Sequence, residues 1–275
     1  MNPVGPVRSA SGLDHYLHRA PTGAKSAPII ALHPWFGCWQ FWLPVVELFP
    51  ERDWVLVDLY SGARTMPADD SAFDQLAAAV SSLIEEVATG PVVLAGNSTG
   101  GLLAQTIAIS GRPPLDALVL VGTGASAVGV PAPFRATLGE WLSAPWSPDS
   151  GLTRAAVRSL LASTPDALGM YEEAVLTANY PFMSAVLRSV LDRDLTEELP
   201  GIGVPTLVVR GEEDAARTEE HVRVLRAGIP DCVAVEIAGA GHSPMVDRPE
   251  AFDSALRDFL ASAGSRHGER DQDGT

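Results

Sequence analysis

The stretch Pro91-Val92-Val93-Leu94-Ala95-Gly96-Asn97-Ser98-Thr99-Gly100-Gly101-Leu102-Leu103-Ala104 decides how the chain reads. Its first half is a short apolar run of strand length. Its second half starts an apolar helix, and the two meet at G-x-S-x-G. A sharp strand-to-helix turn of this kind lifts the serine hydroxyl above the end of the strand and crowds the residues two before and two after it. Gly96 and Gly100 supply the room. The first N–H groups of the helix then point toward any oxyanion formed beside Ser98. A bare G-x-S-x-G is a weak signal, and a glycine-rich turn carrying a solvated serine is the plainer reading. The strand before and the helix after are what favour a nucleophile.

Outward from this turn the same alternation repeats. Runs at 28–33 (PIIALH), 54–59 (WVLVDL), 115–122 (LDALVLVG), 204–210 (VPTLVVR) and 232–237 (CVAVEI) are short and mostly apolar on both faces. Strands of a parallel sheet covered by helices read this way. The segment 73–88 places Phe73, Leu76, Val80, Leu83, Ile84 and Val87 on one helical face. Segments 218–227 and 249–261 look similar, and 12–19 fits an additional strand near the sheet edge. The pattern predicts an α/β fold, a mostly parallel sheet flanked by helices with right-handed crossovers. From 127 to 199 no strand appears. Helices are expected at 134–141, 152–163, 171–178 and 182–191, a stretch that also concentrates Trp141, Trp146, Met170, Tyr171, Tyr180, Phe182 and Met183. This reads as a helical cap inserted after the sixth strand, between core segments 1–126 and 200–263. Residues 264–275 are polar and glycine-containing, and are expected to form a disordered tail.

Length and charge narrow the function. The chain has 275 residues, one large domain or two small ones by the usual ~100–200 residues per domain. With 34 acidic against 19 basic residues, its net charge of −15 opposes nucleic acid and anionic membranes as partners. Cys38 and Cys232 are too few for a disulfide framework or a zinc site. The first residues carry no apolar core of signal-peptide length, and no run reaches the roughly 18 apolar residues of a membrane span. A cytoplasmic protein without metal, nucleotide or flavin is expected, its oligomeric state left open.

A serine nucleophile needs a base and an acid to orient it. Of six histidines, His15 and His18 sit on the expected edge strand, His33 ends a strand, His267 lies in the tail and His221 reads as the surface of a helix. His242, in Gly239-Ala240-Gly241-His242-Ser243-Pro244, follows the last strand, at the sheet end where α/β folds place ligand chemistry. The acid is expected in Gly211-Glu212-Glu213-Asp214, with Asp214 preferred and Glu212 and Glu213 as competitors.

The order Ser98, Asp214, His242 resembles that of the α/β-hydrolase triad. With His33-Pro34-Trp35-Phe36-Gly37, the chain is similar, over about 13–262, to cap-bearing members of that superfamily in the branch of enol-lactonases, esterases and carbon–carbon bond hydrolases. The resemblance implies a catalytic Ser98, Asp214 and His242 and an oxyanion hole from the backbone N–H groups of Trp35 and Thr99. Two departures stand out. Pro34 has no N–H to offer, and the stretch after Asp58 lacks the glycine pattern common in relatives. The implied reaction is hydrolysis of an ester or lactone of a mid-sized, mostly apolar small molecule. Its pocket is expected from Trp35, Phe36, Trp39, Trp141, Tyr180, Phe182 and Met183, although core packing is the plainer reading for about half of the aromatics near the first strands. Carbon–carbon bond cleavage or cyclisation on the same triad, and a receptor-like ligand-binding role, remain alternatives.

Overall fold

A computed structural model of the chain describes residues 4–21, 26–61, 63, 66–143, 151, 155 and 177–272. Eight strands form one sheet: β1 (Val4–Arg8), β2 (Asp14–His18), β3 (Ile29–Leu32), β4 (Trp54–Asp58), β5 (Val92–Asn97), β6 (Leu115–Val121), β7 (Thr206–Gly211) and β8 (Cys232–Ile237). Their order in the sheet is β1-β2-β4-β3-β5-β6-β7-β8. β1, β2 and β4 pair antiparallel, and every pairing from β4 through β3 to β8 is parallel. The expected edge strand is thus the second strand. β1 outside it went unread because Gly5 and Pro6 break its pattern and every residue in it is exposed.

Among the described residues the α-helices longer than four residues are α1 (Leu43–Leu48), α2 (Ala72–Val87), α3 (Thr99–Ser110), α4 (Ala132–Ser143), α5 (Tyr180–Leu191), α6 (Glu219–Gly228) and α7 (Pro249–Gln272). The order of strands reverses at β3, so right-handed crossovers put α1 on one face and α2, α3 and α6 on the other. α7 packs on α1. β3, β5 and the inner part of β6 are buried throughout, which is why their sequences are apolar on both faces. α7 continues to Gln272, past the expected helix end and through most of the polar stretch expected to be disordered. That stretch holds no proline to stop a helix, and Gly264 and Gly268 weaken one by about 1 kcal/mol each without ending it.

The chain leaves the sheet after β6 and returns before β7 through one junction. Ser126 and Asp194 pair as an isolated antiparallel bridge, and the Leu195 N–H donates to the Ala125 carbonyl at 2.9 Å. Between these points α4 and α5 are described. Apart from residue 155, the helix expected at 152–163, and most of that at 171–178, with Trp146, Met170 and Tyr171, lie outside the described residues. The carboxyl ends of β3, β5, β6, β7 and β8 therefore converge under α4 and α5, at the reversal of strand order where open α/β sheets bind ligands.

Candidate active site

Ser98 sits at the turn between β5 and α3 with φ 53° and ψ −114°, a conformation that L residues rarely adopt. The turn is held from both sides. The Ser98 N–H donates to the Val121 carbonyl at 2.9 Å, and the Thr123 hydroxyl donates to the Ser98 carbonyl at 2.9 Å. The glycines are steric necessities. A Cβ on Gly100 would stand 2.6 Å from the Leu32 carbonyl oxygen, and one on Gly96 would collide with the Gly100 backbone. Thr99 is the first residue of α3, so its N–H has no acceptor within the helix.

Asp214 lies in the turn after β7. Its Oδ1 accepts from the backbone N–H groups of Ala216 (2.8 Å) and Arg217 (3.0 Å). The His242 Nδ1–H donates to the same carboxylate, 3.0 Å from Oδ1 and 2.9 Å from Oδ2. Both residues are buried. Burial alone would raise the Asp214 pKa. The charge and hydrogen bond of His242, with the two backbone donors, outweigh it and hold the carboxyl below its ordinary value. Glu212 and Glu213 are exposed, and Glu212 accepts instead from the Gly239 N–H at 3.0 Å. Of the three competing acids, Asp214 is the one that meets the imidazole. With Nδ1 carrying the proton toward Asp214, Nε2 is the nitrogen left to act as a base.

A residue that the sequence reading passed over ties the elbow to the histidine. The fully buried Asn97 side chain donates to the Val121 carbonyl at 3.0 Å and the His242 carbonyl at 3.1 Å, and accepts from the Ser243 hydroxyl at 3.0 Å. Nothing in its local sequence marks it, because its partners are 24 to 146 residues away.

The loop after β3 supplies the facing wall. His33 is buried, its Nδ1–H donating to the Pro34 carbonyl at 2.9 Å while Nε2 accepts from the Leu59 N–H at 3.0 Å. Burial lowers its pKa, against the opposing charge of Asp58, and both nitrogens are committed, so the ring is a neutral strut. Phe36 has φ 55°. It and Ser98 are the non-glycine residues with positive φ among those described, which puts the backbone strain on the two loops that face each other. The Trp35 indole stacks on Trp141 with ring centroids 5.5 Å apart and donates to the Met183 carbonyl at 2.8 Å, so it touches both α4 and α5.

Ser98, Thr99, Trp35 and His242 line one narrow cavity, mostly apolar, roofed by α4 and α5. Of the residues expected in a substrate pocket, Trp35 and Trp141 are in its described wall. The other five are placed elsewhere. Phe36 is buried edge-on behind Trp35, and Trp39 stacks on Tyr16 at 3.8 Å, near the sheet edge. Phe182 and Met183 are fully buried in the core, and Tyr180, at the start of α5, lies outside the described wall. α5 instead offers Leu187, Val190 and Leu191, one helical face, and α4 offers Phe134 and Leu138. Arg135 and Arg217 also line the cavity, and charge gave no sequence signal for either.

His221 departs from its expected place on a helix surface. It is buried, its Nδ1 accepting from the Thr218 N–H at 3.1 Å as half of a capping box for α6. Its ring tucks against Gly124, where a Cβ would stand 2.7 Å from it. Among the described residues no three His, Cys, Asp or Glu side chains gather as a metal ligand set. Among the same residues no helix is long and apolar enough to cross a membrane.

A model of the alpha/beta hydrolase family matches residues 29–255. A polyketide synthase of Burkholderia thailandensis is 31% identical over 189 residues, which is 62% of this chain but 8% of that protein's length. A pimeloyl-[acyl-carrier protein] methyl ester esterase of Xanthomonas oryzae is 28% identical over 254 residues, covering 85% of this chain and 95% of that one. The solved enol-lactonase of Burkholderia xenovorans superposes with a TM-score of 0.76 over 91% of this chain and 97% of that one, at 22% identity, a likeness of fold.

Proposed function

This chain belongs to the alpha/beta hydrolase family, and from that premise we propose that it is a serine hydrolase that cleaves an ester or lactone through an acyl-enzyme. The observation that carries the proposal is the hydrogen-bonded pair of Asp214 and His242 opening, with Ser98, onto one apolar cavity. In this reading His242 Nε2 takes the Ser98 proton as Oγ attacks the substrate carbonyl carbon. The N–H groups of Trp35 and Thr99 hold the resulting oxyanion. His242 passes the proton to the leaving alkoxide, the acyl group stays on Ser98, and the alcohol departs. Water, deprotonated by His242, then attacks the acyl carbonyl, and Ser98 Oγ leaves with that proton as the acid is released. Asp214, kept ionised, stabilises the imidazolium at both steps. The stretch 127–199 acts as a cap whose α4 and α5 close the cavity over the substrate. The named ester substrate of the Xanthomonas relative is in keeping with this chemistry. The apolar wall suits a mid-sized, mostly apolar molecule, and location in the cytoplasm is part of the same reading.

The test is hydrolysis of short p-nitrophenyl esters and aryl lactones in ¹⁸O-labelled water. Label in the released acid, and its loss in Ser98→Ala, are expected. Turnover retained in Ser98→Ala but not in His242→Ala would replace acyl transfer with a proton-transfer reaction.

A further inference from the structure

We propose that the cavity beside Ser98 takes a substrate with a carboxylate at one end, held by the guanidinium of Arg217. This inference rests on the cavity being the acyl-transfer site and names the substrate class it takes. Arg217 follows Asp214 by three residues, and its backbone N–H serves the Asp214 carboxylate, which fixes the start of its side chain. The side chain turns into the cavity that Ser98 and His242 share. Its Nη1 donates to the Ser126 carbonyl at 3.2 Å, while Nε is sealed from solvent with no hydrogen-bond partner. Among the described residues no carboxylate forms an ion pair with it, and Nη2 makes no hydrogen bond. Asp214, the acid to which it is electrostatically coupled, is already engaged by His242.

A buried donor without an acceptor and a desolvated cation without a counter-ion are both unfavourable, and burial does pull the Arg217 pKa down. An anion entering the cavity supplies the missing counter-charge and an acceptor for Nη2. With Nη1 anchored and Nε sealed, Nη2 is the donor left to meet a carboxylate oxygen, and the guanidinium supplies the opposite charge. Arg135, from α4, lines the same cavity and ties back to the Ala127 carbonyl at 2.6 Å, so two cations flank the Ser126–Ala127 backbone. In a chain of net charge −15 the overall field repels anions. A local cation in a low-dielectric cavity is what makes carboxylate recognition favourable there. The apolar residues of α4 and α5 then hold the rest of the molecule.

Calorimetric titration of 4-phenylbutyrate and its neutral amide, 4-phenylbutyramide, into the wild-type protein, Arg217→Met and Arg217→Lys tests this. The acid is expected to bind about 10-fold or more tightly than the amide in the wild type. That ratio falls toward one in Arg217→Met and stays intermediate in Arg217→Lys, which keeps the charge. If Arg217→Met does not fold, the ratio in the lysine variant decides. Equal affinities in the wild type, no binding of the acid, or an acid preference undiminished in both folded variants overturns the proposal. The titration needs no turnover and can be repeated in Ser98→Ala. An acid preference without any hydrolysis would sink the acyl-transfer reading alone, and hydrolysis without the preference would sink this one alone.

Discussion

The side-chain amide of Asn97 donates to the backbone carbonyl of His242 at 3.1 Å, so the residue next to the elbow serine holds the loop that carries the imidazole. Two loops 145 residues apart in sequence are thereby fixed to each other from within the core. Asn97→Ala leaves the carbonyls of Val121 and His242 and the Ser243 hydroxyl short of a buried partner. A loss of about 2–4 kcal/mol in urea unfolding is expected, with a fall in ester turnover as His242 loosens. Stability within a few tenths of wild type would deny Asn97 this role.

The strained backbone at Ser98 sets stability against activity. Glycine adopts φ 53° and ψ −114° without the Cβ penalty, and among the described residues the serine hydroxyl makes no hydrogen bond that glycine would forfeit. Ser98→Gly is therefore expected to gain about 1 kcal/mol, read as a rise of a few degrees in Tm, while ester hydrolysis disappears. A lower Tm than wild type would contradict the assignment of strain.

Trp35 links the β3 loop to both roofing helices. Trp35→Phe keeps a ring against Trp141 but removes the indole hydrogen bond to the Met183 carbonyl, at a cost of about 0.5–1.5 kcal/mol. The expected kinetic signature is a raised KM for apolar esters, since the wall of the cavity moves. An unchanged KM would place Trp35 outside the substrate's reach.

Stability is expected to depend on pH through three buried imidazoles. Burial is the largest cause of the lowered pKa at His15, His33 and His221. In the unfolded chain each titrates near its ordinary value of about 6.5. Between that value and the lower folded one the unfolded state binds more protons, so unfolding becomes easier as pH falls through this window. Asp214, held low, adds its loss only in more acidic solution, below about 3.8. Urea midpoints at pH 7.5, 6.5 and 5.5 should decline in that order. A flat or rising series would contradict the neutral assignment of these rings.

Much of this site could be read before the fold was in hand, for a physical reason. Strands buried on both faces must be apolar throughout, and a turn as tight as that at Ser98 leaves little choice but glycine at 96 and 100, so both leave marks in the local sequence. The line of Asp214 and His242 came from strand ends, which the sheet then brought together. The cavity wall was less legible. Aromatic content drew attention to Phe182 and Met183, but the rotation of α5 turns them into the core and presents Leu187, Val190 and Leu191 to the cavity. Arg135 and Arg217 carried no local mark, because only tertiary packing brings an arginine to the wall of a cavity. Asn97 was silent for the same reason, its partners being far away in sequence, and His221 was read as helix surface because Gly124, which covers its ring, lies far from it in the chain.

The account stands most directly on the reactivity of one hydroxyl. Incubation with a fluorophosphonate probe, followed by digestion and mass spectrometry, should place the adduct on Ser98 in the wild type. It should find none in Ser98→Ala and a strongly slowed reaction in His242→Ala. Absence of any adduct, or an adduct on another residue that persists in Ser98→Ala, would contradict it.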